Sequence, residues 1–277
     1  MKVEEIIKEA LKEDIREGDH TSLSTIPVGS KGKAQLLVKE NGIIAGVEIA
    51  KLVFSEVDPT LKFSKFIEDG TKVKVGDIVF ELEGSSVSIL SGERLALNFM
   101  QRMSGIASIT SVYAEQIKDQ KTKLLDTRKT TPLLRELEKM AVKLGGGENH
   151  RMGLYDMIMI KDNHVDFAGG IAQAIDACKA YLKEKKLDLN IEIEVRNLKE
   201  LKQVLAKGGI HRIMLDNFSV DAMKEAVDMI QGKYETEASG GITLETIRNY
   251  AKTGVDFVSV GALTHHIKSL DLSLKAV

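Results

Sequence analysis

The chain has 277 residues, 43% hydrophobic and 29% charged, with a formal net charge of −2. That balance fits one large folded domain, or a medium one with a smaller companion, and excludes a disordered chain. So small a net charge also argues against general nucleic-acid affinity, and any anion site has to come from local clustering of Lys and Arg.

The acidic start, Met1 to Glu5, is unlike a signal peptide, and no apolar run approaches the roughly 20 residues that span a bilayer. The expectation is a cytoplasmic protein with no membrane segment. Val3, Ile6, Ile7, Ala10 and Leu11 recur at helical spacing and predict a helix over 3–11. A turn-rich segment follows at 13–22. Residues 33–83 read mostly as strand, with a strand at 33–39, a helix at 51–57 and turns at Asp69-Gly70 and Gly76-Asp77. From 92 to 118 the pattern is one long helix. Beyond it, short apolar runs alternate with helical stretches at intervals of about 20 to 35 residues, the pattern of parallel strands with crossover helices. The first crossover helix carries its own signs: Thr131 as N-cap, Pro132 at the first helical position, and Gly145 as the terminating glycine. Its buried face reads as Leu133, Leu134, Leu137, Met140, Ala141 and Leu144. Cys178, the only cysteine, falls in a helical pattern with Ile171, Ala174 and Ile175 and reads as a small core residue. Alone, it excludes an intrachain disulfide and a Cys-rich metal site. Six or seven strands fit before the chain ends, which predicts an incomplete α/β barrel.

Six of the predicted strands end abruptly in polar, charged or glycine residues. Leu124-Leu125 runs into Asp126-Thr127-Arg128-Lys129, 157–160 into Lys161-Asp162-Asn163-His164, and 191–193 into Glu194-Val195-Arg196-Asn197. Likewise 213–215 runs into Asp216-Asn217, 234–238 into Ser239-Gly240-Gly241, and 257–260 into Gly261-Ala262. Polar groups at the C-terminal ends of parallel strands are how an α/β barrel builds an active site, and these suit a polyanion.

Arg128 and Arg151 are expected at that mouth, where a guanidinium fork matches a carboxylate. Arg94, near a helix start in the first domain, can reach the mouth only across an interface. Lys129 and Lys161 can neutralise phosphate oxygens, although a lysine at such a junction is ordinarily just solvated. Glu194 and Asp216 end successive strands. Carboxylates there can hold ribose hydroxyls or Mg²⁺, or stabilise a developing cation; an internal ion pair is the plain alternative. The backbone N–H groups of Ser239, Gly240, Gly241 and Gly261 are placed to receive phosphate. Gly145-Gly146-Gly147 exceeds what a helix end requires and lets His150 and Arg151 approach a ligand closely.

Taken in order, residues 126–132, 145–153, 161–164, 191–197, 215–218, 239–242 and 261–264 resemble the quinolinate phosphoribosyltransferases. Residues 92–98, Ser104-Gly105-Ile106-Ala107 and 13–22 fit the same family, so the resemblance runs through nearly the whole chain. It implies an α/β fold: an N-terminal α/β sandwich at 1–104, an open TIM-like α/β barrel at 105–264, and a tail at 265–277 that packs on the first domain. It also implies a homodimer, or a larger homo-oligomer, in which one subunit completes the other's site. By the same resemblance Arg128, His150 and Arg151 hold the quinolinate carboxylates, and Arg94 is donated by the partner subunit. Lys129 and Lys161 serve the substrate and phosphate end, and Glu194 and Asp216 lie near the ribose and the Mg²⁺ of phosphoribosyl pyrophosphate. Ser239, Gly240, Gly241 and Gly261 cradle the 5′-phosphate. The chain departs from the pattern by a few extra residues at 182–190 and about one near 208–212, both before strands; His265 is given no role.

The implied reaction joins quinolinate to phosphoribosyl pyrophosphate and yields nicotinate mononucleotide, pyrophosphate and CO₂, a step of de novo NAD biosynthesis. Mg²⁺ and no organic cofactor are expected, and no Gly-x-Gly-x-x-Gly follows a strand to suggest a flavin or nicotinamide site. The rivals are a molybdenum-transport-associated relative and a non-catalytic phosphate-ligand or protein-binding barrel. A phosphosugar isomerase or aldolase would need a Schiff-base lysine or an acid/base pair, which Lys161 alone does not supply. The set Arg94, Arg128 and Arg151 favours a dicarboxylate.

Overall fold

The computed structural model describes residues 2–277. The first stretch of chain forms α1 (Val3–Ile15), α2 (His20–Thr25), β1 (Lys31–Val38), β2 (Gly42–Ile43), α3 (Val47–Val57), β3 (Lys62–Lys65), β4 (Lys72–Val73), β5 (Ile78–Ser85) and α4 (Ser86–Ile117). Then come β6 (Lys123–Leu125), α5 (Arg135–Leu144), β7 (Ile158–Ile160), α6 (Asp162–Ala168), α7 (Ile171–Lys185), β8 (Ile191–Val195), α8 (Leu198–Lys207) and β9 (Arg212–Asp216). The chain closes with α9 (Val220–Ile230), β10 (Glu235–Ser239), α10 (Ile247–Ala251), β11 (Phe257–Ser259), α11 (Ala262–His265) and β12 (Leu272–Ala276). Among the described residues no helix is long and apolar enough to cross a membrane.

The chain divides into two compact units. The first takes the residues up to Ser111, with Thr130–Gly146 and Leu263–Val277. Its main sheet is antiparallel in the order β12-β1-β5-β3. Alternate residues Ala34, Leu36 and Val38 of β1 are buried, as period-two patterning requires of a strand with one covered face. Phe63 of β3 and Phe80 of β5 have ring centroids 4.4 Å apart, and Phe54 of α3 packs against both. The segment 13–22 is more helical than its turn residues suggest. Asp19 accepts the Ser22 N–H at 3.0 Å and caps α2, a common use of Asp ahead of a short helix.

The helix α5 also belongs to this unit, and its start corrects the sequence reading. It begins at Arg135, not at Pro132, because Thr131 is captured elsewhere. The Thr131 N–H donates to Glu138 Oε2 at 3.2 Å, Arg102 Nη2 donates to Thr131 Oγ1 at 2.7 Å, and the same nitrogen lies 2.7 Å from Glu138 Oε1. Leu133 then turns with a φ of 67° and is 66% exposed. Met140 is exposed as well, so the buried face is Leu137, Ala141 and Val142. At the other end Gly145 keeps a helical φ of −81° and Gly146, with a φ of 90°, makes the left-handed turn. Gly145 abuts the Ala107 carbonyl so closely that a Cβ there would collide with it.

The second unit takes Val112–Lys129 and Gly147–Ala262. Its six strands are all parallel, in the order β6-β11-β10-β9-β8-β7, an open α/β barrel rather than a closed one. The Glu148 N–H donates to the Leu124 carbonyl at 2.7 Å, and this bridge carries the chain from β6 toward His150. Strand β8 runs two residues further than its apolar core suggests, so Glu194 and Val195 lie within it. Cys178 is only half-buried, and burial pushes its thiol pKa up.

Candidate active site

Side chains alternate across a strand, so residues two apart share a face. On β8 that puts Glu192 and Glu194 together, opposite Ile191, Ile193 and Val195; on β9 it groups Arg212, Met214 and Asp216; on β10 it groups Glu235, Glu237 and Ser239. The register pairs Glu194 with Met214, Glu237 with Met214, and Ser239 with Asp216. One face of the sheet therefore carries charged residues on three adjacent strands, whereas barrel interiors are usually packed with Val, Ile and Leu.

At the C-terminal end of this face Lys161 Nζ lies 3.1 Å from Glu194 Oε2. Burial pushes the Glu194 pKa up; Lys161 pulls it down, while Asp216 and Asp162 raise it again. This end of the face is therefore acidic, with Lys161 as its counter-charge. Asn217, at a φ of 56°, donates from Nδ2 to Asp216 Oδ2 at 2.6 Å and from its backbone N–H to the Ser239 carbonyl at 2.9 Å. Gly240 and Gly241 follow with φ values of 96° and 59°; a side chain at Gly240 would collide with the Asn217 amide. Gly261, half-buried, lies two residues beyond the end of β11.

Two arginines meet on the β6 side. The Arg151 pKa is held below its ordinary value by burial first and by the charge of Arg128 second, against the pull of Glu192 and Asp156. Arg151 Nη1 donates to the Met157 carbonyl at 3.0 Å, which fixes one edge of its fork. Two guanidiniums close enough to repel one another make a place that an anion stabilises. Lys129 is exposed beyond Arg128. Arg94 is exposed on α4, in the first unit.

Below Arg151, His150 meets groups that sequence reasoning missed: Glu192 and Glu237, with Arg212 behind them. His150 Nε2 lies 3.1 Å from Glu192 Oε2 and 3.2 Å from Glu237 Oε2, and both carboxylates are fully buried. Arg212 Nη1 is 3.3 Å from Glu237 Oε2, and its guanidinium sits 4.0 Å over the Phe257 ring. The His150 N–H donates to Asp126 Oδ1 at 2.8 Å, and His150 Nδ1 accepts the Arg151 N–H at 2.7 Å. Burial works against a charged ring and the two carboxylates outweigh it, pushing the His150 pKa up to about 9. The Arg151 N–H at Nδ1 nevertheless opposes a second ring proton. The geometry decides for a ring protonated at Nε2, with any further proton on Glu192, whose pKa burial and then Glu237 push up to about 7. The signal was present in Ile191-Glu192-Ile193-Glu194, where period two places Glu192 directly below Glu194.

An open α/β barrel whose strand ends gather two arginines, lysines, an acidic group and glycine loops defines an enzyme acting on polyanionic substrates. Comparison with known proteins says which. Residues 19–104 match the family described as "Quinolinate phosphoribosyl transferase, N-terminal domain", and residues 106–275 match its "C-terminal domain". The chain is 47% identical to the chloroplastic nicotinate-nucleotide pyrophosphorylase [carboxylating] of Arabidopsis thaliana, over 98% of this chain and 81% of the relative. It is 41% identical to the probable nicotinate-nucleotide pyrophosphorylase [carboxylating] of Bacillus subtilis, over 99% of this chain and 93% of the relative. The solved nicotinate-nucleotide pyrophosphorylase of Francisella tularensis superposes with a TM-score of 0.93 at 42% identity, covering 99% of this chain and 96% of that one. The chain belongs to the quinolinate phosphoribosyltransferase family.

Proposed function

We infer that the protein transfers the phosphoribosyl group of phosphoribosyl pyrophosphate to quinolinate, with loss of CO₂, and so makes nicotinate mononucleotide for NAD biosynthesis. The observation that carries this reading beyond family membership is the Arg128–Arg151 pair, two guanidiniums whose charges act on one another, with one edge of Arg151 fixed by the Met157 carbonyl. A dicarboxylate offers one anionic group to each. Arg128 and Arg151 bind the two carboxylates, with His150 beside them. Arg94 of a second subunit completes the site, which makes the protein a homodimer or a larger homo-oligomer. Support for Arg94 is its exposure on α4.

Lys129 and Lys161 meet phosphate oxygens. The backbone N–H groups around Ser239, Gly240, Gly241 and Gly261 receive the 5′-phosphate, a use supported by the positive φ of Gly240 and Gly241. Glu194 and Asp216 face the ribose and would hold the Mg²⁺ that accompanies pyrophosphate, which supplies charge neutralisation to the leaving group. The negative charges of Asp216 and Asp162 act on Glu194, which supports an acidic site there.

The pyridine nitrogen of quinolinate attacks C1′ as the C1′–O bond breaks, and that electron pair leaves on pyrophosphate. Glu194 and Asp216 stabilise the positive charge that develops on the sugar. The ring nitrogen is now quaternary, and its positive charge stabilises the electron pair left on the adjacent ring carbon when the carboxylate departs as CO₂; that carbon then takes a proton. No organic cofactor is needed, because the substrate's own cationic nitrogen stabilises the carbanion. The remaining work is to align two polyanions and screen their repulsion. The enzyme acts in the cytoplasm. A binding titration tests the arginine pair: quinolinate should bind at least about ten-fold more tightly than nicotinate, which lacks one carboxylate. Equal affinities would contradict the reading.

A further inference from the structure

Burying a carboxylate costs several kcal/mol unless its partners are well placed, yet Glu192 and Glu237 both lie fully buried in the second unit. Packing alone does not call for them, since the same strand positions filled with Val or Leu would give an ordinary barrel interior. Their contacts converge on one ring. His150 Nε2 is within 3.2 Å of both carboxylates. Arg212 closes the group from behind, 3.3 Å from Glu237 and 2.9 Å from Glu235, with Phe257 against its face. The donor atoms of His150, Glu192 and Glu237 lie within 4.8 Å of one another, as in a metal site. The positive charge such a site would seek is supplied by the guanidinium.

What this arrangement does is immobilise His150. The ring is held at Nε2 by the acids and at Nδ1 by the Arg151 N–H, and its own main-chain N–H is tied to Asp126. Both ring nitrogens are engaged within the protein, and the Nδ1 bond fixes the peptide from which Arg151 projects. A residue whose contacts lock a neighbour's position controls the geometry of that neighbour's binding fork.

We propose that Glu192 and Glu237, with Arg212 behind them, are positioning residues that fix His150 and through it Arg151, and so set affinity for the dicarboxylate rather than for the phosphoribosyl donor. This rests on the reading of Arg151 as a carboxylate ligand. The phosphoribosyl end has supports of its own: Lys161 holds Glu194, and Asn217 ties Asp216 to the Ser239 carbonyl at the start of the glycine loop.

The test is steady-state kinetics on Glu192→Leu and Glu192→Gln. Leucine keeps the volume and removes the acceptor; Arg212 and Glu237 still balance, so the fold should hold. Glutamine keeps a carbonyl for the Nε2–H. The leucine variant should raise KM for quinolinate about ten-fold or more, the loss of one buried contact between His150 and a carboxylate. Its KM for phosphoribosyl pyrophosphate should stay within about two-fold, and the glutamine variant should stay within about three-fold for both substrates. Glu237→Leu carries the same expectation and decides the matter if Glu192→Leu does not fold. Folded leucine variants with both KM values unchanged, or with equal rises for both substrates, overturn the clamp. Wild-type protein with no turnover of quinolinate would instead overturn the functional reading on which the clamp rests.

Discussion

The Lys161 ammonium lies 3.1 Å from the Glu194 carboxylate, so the lysine that ends one strand neutralises the acid that ends the next. Lys161 is half exposed and Glu194 is buried, which leaves the ammonium free to move toward an arriving phosphate. Lys161→Met removes the one cation that holds the Glu194 pKa down against burial, Asp216 and Asp162. Turnover should fall about 100-fold, and the acid limb of the pH–rate profile should move to higher pH, because Glu194 then protonates more readily. Rates measured from pH 5 to 9 check both; activity within a few-fold of wild type would contradict the assignment.

Arg128→Ala should reduce turnover at least about 1,000-fold, the loss of a bidentate charged contact together with alignment. Near-normal activity in the folded variant would sink the proposed carboxylate site.

Arg94 and Arg128 are assigned to different subunits of one site. Mixing Arg94→Ala with Arg128→Ala subunits should therefore regain activity, because one of the two sites in a mixed dimer carries both arginines. Each variant alone should be nearly inactive. A mixture no more active than its components would place Arg94 outside the shared site.

The buried cluster makes stability fall as pH rises. The folded-state pKa of Glu192 is about 7, against an ordinary value of 4.5. The shift is upward. The folded chain therefore binds more protons than the unfolded one across this window, and the stability this contributes is full below pH 4.5 and lost as pH climbs through 7. Denaturant unfolding at pH 6 and pH 9 should differ by on the order of 1 kcal/mol from this group. Glu192→Gln should flatten the dependence; an unchanged slope in that variant would contradict the charge assignment.

The open barrel was legible because its strands break from apolar runs into polar ends. Those breaks named Arg128, Lys161, Glu194, Asp216 and the Gly240-Gly241 and Gly261 loops as one set. Glu192 and Glu237 escaped notice because they sit inside the strands, where a reading that looks for polar residues at the ends passes over them. Alternation in Ile191-Glu192-Ile193-Glu194 held the clue, and only the partner strands show that Glu192 meets His150 rather than solvent. The start of α5 was misread for a different reason. Thr131-Pro132 is a sound local signal for a helix start, but Glu138 and Arg102 offer Thr131 better partners, and tertiary contacts override the local preference. Leu133 and Met140 fit the helical spacing of a buried face, and spacing alone does not say whether that face is covered.

The most direct measurement is a product assay with the purified protein, phosphoribosyl pyrophosphate and Mg²⁺, with quinolinate in one reaction and nicotinate in another. Nicotinate mononucleotide and one equivalent of CO₂ from quinolinate, with no product from nicotinate, is the predicted result. No product from quinolinate, or equal product from both, would contradict the account.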